Sequence, residues 1–279
     1  MKALYISQGQ FNDYQCDILF HGLRTVLGND LVDVNRIWAM YKAGGGGYTL
    51  YGLLPDDSNV DRSDIVNKIR NKYFDVIIYG SIWHSMDFWD EVSAYYPANK
   101  IAFVDGLDDD ARVMIQLAGK GIYFKREPRG PEMQRFPIQF GIPAEKIQPI
   151  NVNKIRVMAP LDPEDRSTYG YLTEKSYYEM YALSYFGKTM KKGGWDCLRH
   201  YEIIACGCLP YFIGIEDAPS QTMEFLPRPE LLRARTMKDN WNSTMHDEWL
   251  SLMTNLQATL LEYMTTEAVA KRLLERLST

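Results

Sequence analysis

The chain has 279 residues, 46% of them apolar, with 31 basic and 36 acidic side chains. That length holds one large domain or two compact ones, and the ordinary hydrophobicity and charge exclude wholesale disorder. No apolar run approaches the roughly 20 residues of a membrane helix, and a net charge of −5 argues against a surface dominated by non-specific phosphate binding.

The opening MKALYI lacks the long apolar core of a secretion signal and reads as a strand of a soluble, intracellular protein. Cys16, Cys197, Cys206 and Cys208 lack zinc half-site spacing and read as reduced, small apolar groups. The 19 Tyr and 6 Trp suit core packing and stacking on flat or sugar-like ligands equally well.

In chain order, KALYIS is a strand, residues 13–26 an amphipathic helix, and LVDVN a second strand. Residues 43–47, AGGGG, form a loop that lacks the strand–glycine–helix context of a phosphate cradle and could close over an acceptor. Residues 63–72 have helical spacing. FDVIIYGS, KIAFVDG and GIYFKRE are nearly continuous apolar runs, the pattern of strands covered on both faces, with a short helix over 86–95 between the first two. Strand–helix alternation of this kind predicts a parallel sheet flanked by helices. Prolines then accumulate between Glu127 and Pro163, which suits a boundary between domains 1–150 and 151–279. KIRVMAP, YYEMYALSYFG, a helix over 196–205 and the strand CLPYFI follow, with Gly207 as a left-handed cap. Helical stretches over 221–235 and 247–277 end the chain, the latter a long C-terminal helix that crosses back onto the first half. The fold class is therefore α/β, with two facing Rossmann-like domains and a C-terminal helical segment.

Ligands of open α/β sheets sit beyond the carboxyl ends of the strands. In the first half this singles out Gln8, Gly9, Gln10 and Asp13 after one strand, His84 after another, and Asp105 and Asp108 after a third. In the second half, KTMKKGGWDCLRHYE places Lys191, Lys192 and Arg199 around Gly193 and Gly194, just before a helix. A helix N-terminus offers free N–H groups and partial positive charge to phosphate oxygens, which Lys and Arg reinforce. Glu202, further along that helix, can accept two hydrogen bonds from a ribose diol. The competing reading is a solvated basic turn followed by an ordinary amphipathic helix.

The run KKGGWDCLRHYEIIACGCLPYF, with the upstream TYGYLTEKSYYEMYALSYFG, resembles the donor-binding segment of GT-B glycosyltransferases. It is most similar to bacterial and phage members and to the exostosin-like group. The resemblance implies a nucleotide-sugar pocket. Glu202 would hold the donor ribose, Arg199, Lys191 and Lys192 the diphosphate, and Trp195 the pocket wall. Many retaining members carry a second, upstream glutamate with seven residues between the two. Gly194 stands at that position here, so no stereochemistry is assigned. The chain is also shorter than typical two-domain relatives.

A sugar transfer then needs a base for the acceptor hydroxyl. Asp105 is favoured, though it could instead cap a turn. His84 is the alternative, and Asp13 is a third candidate that could also cap the following helix. Asp108, Asp109 and Asp110 could hold a cation or be solvated, and the resemblance implies no essential metal or other cofactor. The co-substrate expected is a nucleotide-diphosphate sugar, UDP-linked. The acceptor could be a glycan, a small molecule or a hydroxymethylated base of phage-type DNA. Lys125, Arg126, Arg129 and Arg135 are the residues available for a basic strip on the acceptor side. The location implied is the cytoplasm of a bacterium or phage-infected cell. The rival readings are a non-catalytic nucleotide-binding module and another α/β enzyme acting on phosphorylated metabolites.

Overall fold

The structure, a computed structural model, describes residues 1–45, 47–55, 57–109, 111–129 and 134–278. Among these residues the chain builds two parallel sheets. The first contains β1 (Ala3–Ile6), β2 (Leu31–Asp33), β3 (Val76–Tyr79), β4 (Ile101–Asp105), β5 (Ile122–Lys125) and β6 (Phe136–Pro137). Their order is β2-β1-β3-β4-β5-β6. The second runs β7 (Arg156–Met158), β8 (Ser184–Met190), β9 (Leu209–Ile213).

Continuous apolar strands are explained by double coverage. Ala3, Tyr5, Val76, Ile78, Ala102 and Val104 face one core, and Leu4, Ile6, Ile77, Tyr79, Ile101 and Phe103 face the other. Side chains alternate across a strand, so both halves of the alternation must be apolar when helices lie on each side. Helices α2 (Ile65–Arg70) and α3 (Trp89–Tyr95) pack together beside the second of these faces. Helix α1 (Tyr14–Leu27) covers the first. Asp13 begins α1, its carboxylate accepting from the N–H groups of Gln15 and Cys16.

Around the second sheet stand α4 (Glu174–Ala182), α5 (Leu198–Ala205), α6 (Arg228–Asp239) and α7 (His246–Tyr263). Helix α6 begins at Arg228 rather than near 221, with Pro227 and Pro229 at its start. Proline lacks the N–H that a longer upstream helix would need.

The single long terminal helix expected over 247–277 is instead two. Apolar spacing runs on past α7, but the chain turns at Met264 and Thr265 and resumes as α8 (Thr266–Ser278). Ile142 holds the turn with two backbone bonds, its N–H donating to Met264 and its carbonyl accepting from Thr266, each at 3.0 Å. Helix α8 then lies against α1 of the first half, as the crossing-back reading expected. The approach is close: a Cβ on Gly22 would stand 1.9 Å from the Thr266 carbonyl oxygen. One apolar core therefore runs from the first sheet through α1 and α8 to α5, α6 and α7. No helix among the described residues is long and apolar enough to cross a membrane.

Candidate functional site

In a sheet ordered β2-β1-β3-β4, the chains leaving β1 and β3 diverge at their carboxyl ends and open a crevice. The second half faces that edge with the turn that follows β8. Between them lies a pocket of about 490 Å³. Tyr14, Tyr48, Asp108, Arg126 and Phe140 line it from the first half. Tyr169, Tyr171, Tyr177, Lys192, Gly193, Gly194, Arg199 and Glu202 line it from the second.

The glycine pair is there because the halves touch. A Cβ on Gly193 would fall 2.1 Å from the Asp108 carboxylate, and one on Gly194 would fall 2.4 Å from that of Glu127. Arg126 is the pin beneath them. Its guanidinium donates to the Gly106 carbonyl and to Asp108 in the first half, and to the Asp196 carbonyl at 2.6 Å in the second. Glu127 accepts from the Asp196 N–H at 2.8 Å, and burial pushes its carboxyl up to about 7. Asp196 is also buried, which pushes it up to about 6. The start of α5 is thus fixed by interactions that cross the cleft.

Helix α5 has Cys197 at its N-cap and no side-chain cap bond, and Cys197, Leu198 and Arg199 line the pocket. Uncapped N–H groups at this end suit an anion. Arg199 reaches Tyr169 with one guanidinium nitrogen at 3.0 Å, while its Nε is buried with no hydrogen-bond partner. An unpaired charged N–H is costly to bury, so an anionic oxygen at Arg199 would relieve it. One turn further along α5, Glu202 also lines the pocket and is buried, with burial raising its pKa. Its carboxylate accepts from Tyr177 OH at 2.7 Å and from the Thr49 hydroxyl.

The remaining expected residues separate. Lys191 is exposed and lies over the Trp195 ring at 5.2 Å, and neither residue lines the pocket. Trp195 packs on the core instead of forming the pocket wall. Asp105 is fully buried and its oxygens are occupied. They accept from Lys125 Nζ at 3.0 Å, Tyr123 OH at 2.5 Å, Trp83 Nε1 at 2.9 Å and Leu107 N at 3.1 Å. No face of it reaches an acceptor. Lys125 is equally buried, and Arg126 sits in the pocket, so neither belongs to a surface basic strip. Asp109 caps the turn at Ala111 and Arg112, while Gly46 and Asp110 lie outside the described residues.

His84 and Asp13, by contrast, come together at the β1/β3 crevice. His84 Nδ1 stands 3.0 Å from Asp13 Oδ2 and 2.9 Å from Ser81 Oγ. Asp13 uses its other oxygen to cap α1. With Nδ1 facing the Asp13 carboxylate, the tautomer that carries its proton there would leave Nε2 with a free lone pair. The ring is one-third exposed and meets Phe11 edge-on. Gln8 holds the loop carrying Phe11, its amide donating to the Phe11 carbonyl at 2.7 Å and accepting from the N–H groups of Gln10 and Phe11. Gly9 turns that loop at φ 67°.

No family model matches the chain, and no curated protein matches it. Solved structures do. An alpha-glucosyltransferase in complex with UDP and a 13-mer DNA containing a central A:G mismatch superposes with a TM-score of 0.51 at 9% identity, covering 99% of both chains. The same enzyme type with UDP and a 13-mer DNA containing an HMU base gives 0.51 at 8%, covering 100% of each. Anabaena HepE in complex with UDP and glucose gives 0.50 at 10%, covering 100% of this chain and 99% of that one. The fold is that of GT-B glycosyltransferases. At these identities the fold is what the chain shares with them. The Glu202 pocket lies between the two halves, and the His84–Asp13 pair belongs to the first.

Sequence reading missed much of the wall of this pocket. Tyr14, Tyr48, Tyr169, Tyr171 and Tyr177 line it, and Asp17 lies just behind Asp13. Asp17 accepts from Tyr51 OH at 2.9 Å and is pushed up to about 7 by burial. The tyrosine-dense tract over 169–181 was the available signal, but a tyrosine count cannot separate ligand wall from core.

Proposed function

We propose that the protein transfers a sugar from a nucleotide-diphosphate donor, UDP-linked, to a hydroxyl acceptor. The observation that carries this reading is one pocket lined by two chemically distinct kinds of group. Glu202 stands among tyrosines, and Lys192, Arg199 and the uncapped start of α5 line the same pocket. A ribose diol donates two hydrogen bonds to a carboxylate, whereas a diphosphate needs cations and N–H donors. In the transfer, the bond from the anomeric carbon to the diphosphate breaks and one to the acceptor oxygen forms. Negative charge grows on the leaving UDP, where Lys192, Arg199 and the α5 N–H groups would hold it. The acceptor's proton passes to His84 Nε2, and Asp13 stabilises the imidazolium at Nδ1. The first half, residues 1–150 with α8 packed on it, would present the acceptor. The part from 151 up to α8 would hold the donor, in the cytoplasm where we place the protein.

The test is calorimetric titration with UDP, GDP and ADP, followed by a transfer assay on UDP-sugars. Binding of UDP that is weakened at least tenfold by Lys192→Ala and by Glu202→Ala, with UDP released from a UDP-sugar in the presence of an acceptor, supports the reading. No binding by any of the three nucleotides refutes it. Binding without turnover on any sugar would make the chain a binding module.

For the acceptor, one observation favours a polynucleotide over a small molecule. A second cavity of about 400 Å³ lies between β6 and α8, where Arg276 stands 4.3 Å over the Phe136 ring and Arg272 4.2 Å over Phe225. Glu224 and Glu275 line the cavity as well, so it is the guanidinium–ring pairs and not a net positive charge that would meet a stacked, charged chain. Duplex DNA carrying hydroxymethylated pyrimidines should bind with an affinity that falls as salt rises, and Arg272→Ala should weaken it. Salt-independent or absent binding removes this acceptor class.

A further inference from the structure

Thr49 belongs to the first half, two residues beyond the glycine segment, yet every polar contact of its side chain is made with the second. Its hydroxyl meets both Glu202 and Tyr178 OH, the latter at 2.7 Å. A hydroxyl has one proton, and a carboxylate can only accept it. Thr49 therefore donates to Glu202 and receives from Tyr178, which fixes a directed chain Tyr178 to Thr49 to Glu202. The residue is fully buried, and its backbone N–H donates to Glu174. Lys146 holds that Glu174 carboxylate from both oxygens, at 2.8 and 2.7 Å. Beside it, Tyr48 donates to the Tyr171 carbonyl at 2.7 Å and stands edge-on to Tyr177.

The backbone adds a second, independent sign. Thr49 has φ 65°, a left-handed conformation that a β-branched residue rarely adopts. Such strain persists where the surroundings over-determine it, and here the surroundings are the contacts to Glu174, Tyr178 and Glu202.

We infer that Thr49 is a positioning residue for the donor site: it orients the Glu202 carboxylate for a cis-diol, so that ribose recognition requires the two halves to be closed on each other. This rests on the proposed role of Glu202. A carboxylate has about four lone-pair positions. Thr49 and Tyr177 occupy one on each oxygen, and Glu202 still lines the pocket, leaving the others for the 2′- and 3′-hydroxyls. If the halves separate, Thr49 leaves with the first half and the carboxylate loses one of its two anchors. Discrimination between ribose and deoxyribose is then a property of the closed cleft and not of the second half alone.

The experiment measures the dissociation constants of UDP, GDP and ADP, each against its 2′-deoxy counterpart, for the full chain and for three variants. Thr49→Val keeps the shape and removes the hydroxyl, Thr49→Ser restores the hydroxyl, and Glu202→Gln keeps the shape and removes the charge. Thermal midpoints establish that each variant is folded. The parent should prefer a ribonucleotide over its deoxy form by tenfold or more. Thr49→Val should bring that ratio to within threefold of one, and Thr49→Ser should return it to within twofold of the parent's. A general structural loss would weaken both nucleotides equally and leave the ratio unchanged, which overturns the inference. If Glu202→Gln abolishes discrimination and Thr49→Val does not, Glu202 stands as the ribose ligand and Thr49 alone is dismissed. If Glu202→Gln leaves the ratio unchanged, or no ribonucleotide is preferred by the parent, the role of Glu202 fails and the inference fails with it.

Discussion

Asp105 is the sharpest test of structure against sequence pattern, because position after a strand makes it a base and its surroundings make it an anchor. It holds a buried ammonium, that of Lys125, and three neutral donors from Trp83, Tyr123 and Leu107. Breaking a buried pair from one side costs about 3–5 kcal/mol, because the other charge is left uncompensated. Each stranded donor adds about 1–3 kcal/mol. A domain's whole stability is about 5–15 kcal/mol, so Asp105→Ala is expected to be unfolded at 37 °C. Asp105→Asn keeps one acceptor oxygen but points an amide at the ammonium, and a loss of about 3–5 kcal/mol is expected in urea denaturation. The double variant Asp105→Asn/Lys125→Met removes the buried charge altogether and should recover more than half of that loss. Turnover per folded molecule should stay within threefold of the parent for both. The reasoning is refuted if Asp105→Asn keeps its stability within about 0.5 kcal/mol while turnover falls a hundredfold or more.

Three further outcomes follow from the geometry. His84→Asn and Asp13→Asn should each lower kcat by about 10²–10⁴-fold with little change in UDP affinity; a His84→Asn variant whose kcat stays within threefold of the parent would exclude His84 as base. Gly22→Ala would place a methyl 1.9 Å from the Thr266 carbonyl, so α8 must shift off α1, and the thermal midpoint should drop by several degrees, whereas an unchanged midpoint would show that the helices part at no cost. Glu127 has a folded pKa of about 7 against an ordinary 4.5, so the folded state holds its proton longer than the unfolded chain does. Its effect is therefore a stability that falls as pH rises from about 4.5 to about 7 and is level above, of order 3 kcal/mol at most. Glu127→Gln keeps an acceptor for the Asp196 N–H and should flatten that part of the pH–stability curve. A curve of unchanged slope would locate the titration elsewhere.

Local pattern carried the first sheet well. FDVIIYGS, KIAFVDG and GIYFKRE became β3, β4 and β5 because continuous apolar residues suit a strand covered on both sides. The same logic failed at the C-terminus, where a stripe from Trp249 to Leu277 reads as one helix. Periodicity records which face is buried, not whether the same partner buries all of it, and Ile142 claims the backbone between α7 and α8. Five of the seven expected donor residues line the pocket: Lys192, Gly193, Gly194, Arg199 and Glu202. They are contiguous with one turn and one helix, so local order placed them.

Length alone allowed one large domain or two small ones. The sequence by itself determined an α/β chain with two sheet-forming halves, and it singled out the stretch from Lys188 to Glu202 as the candidate place for an anion and a diol. Only the tertiary structure decided what stands opposite that stretch. Pairing Asp105 with Lys125 takes one candidate base out of reach, and pairing Asp13 with His84 creates another at the β1/β3 crevice. Closing the halves sets Thr49 on Glu202 and Asp108 on Gly193. The two partners in these contacts lie between 20 and 153 residues apart, and no local preference encodes them. Burial selects them, because a charge or hydroxyl withdrawn from water must find its partner within the fold.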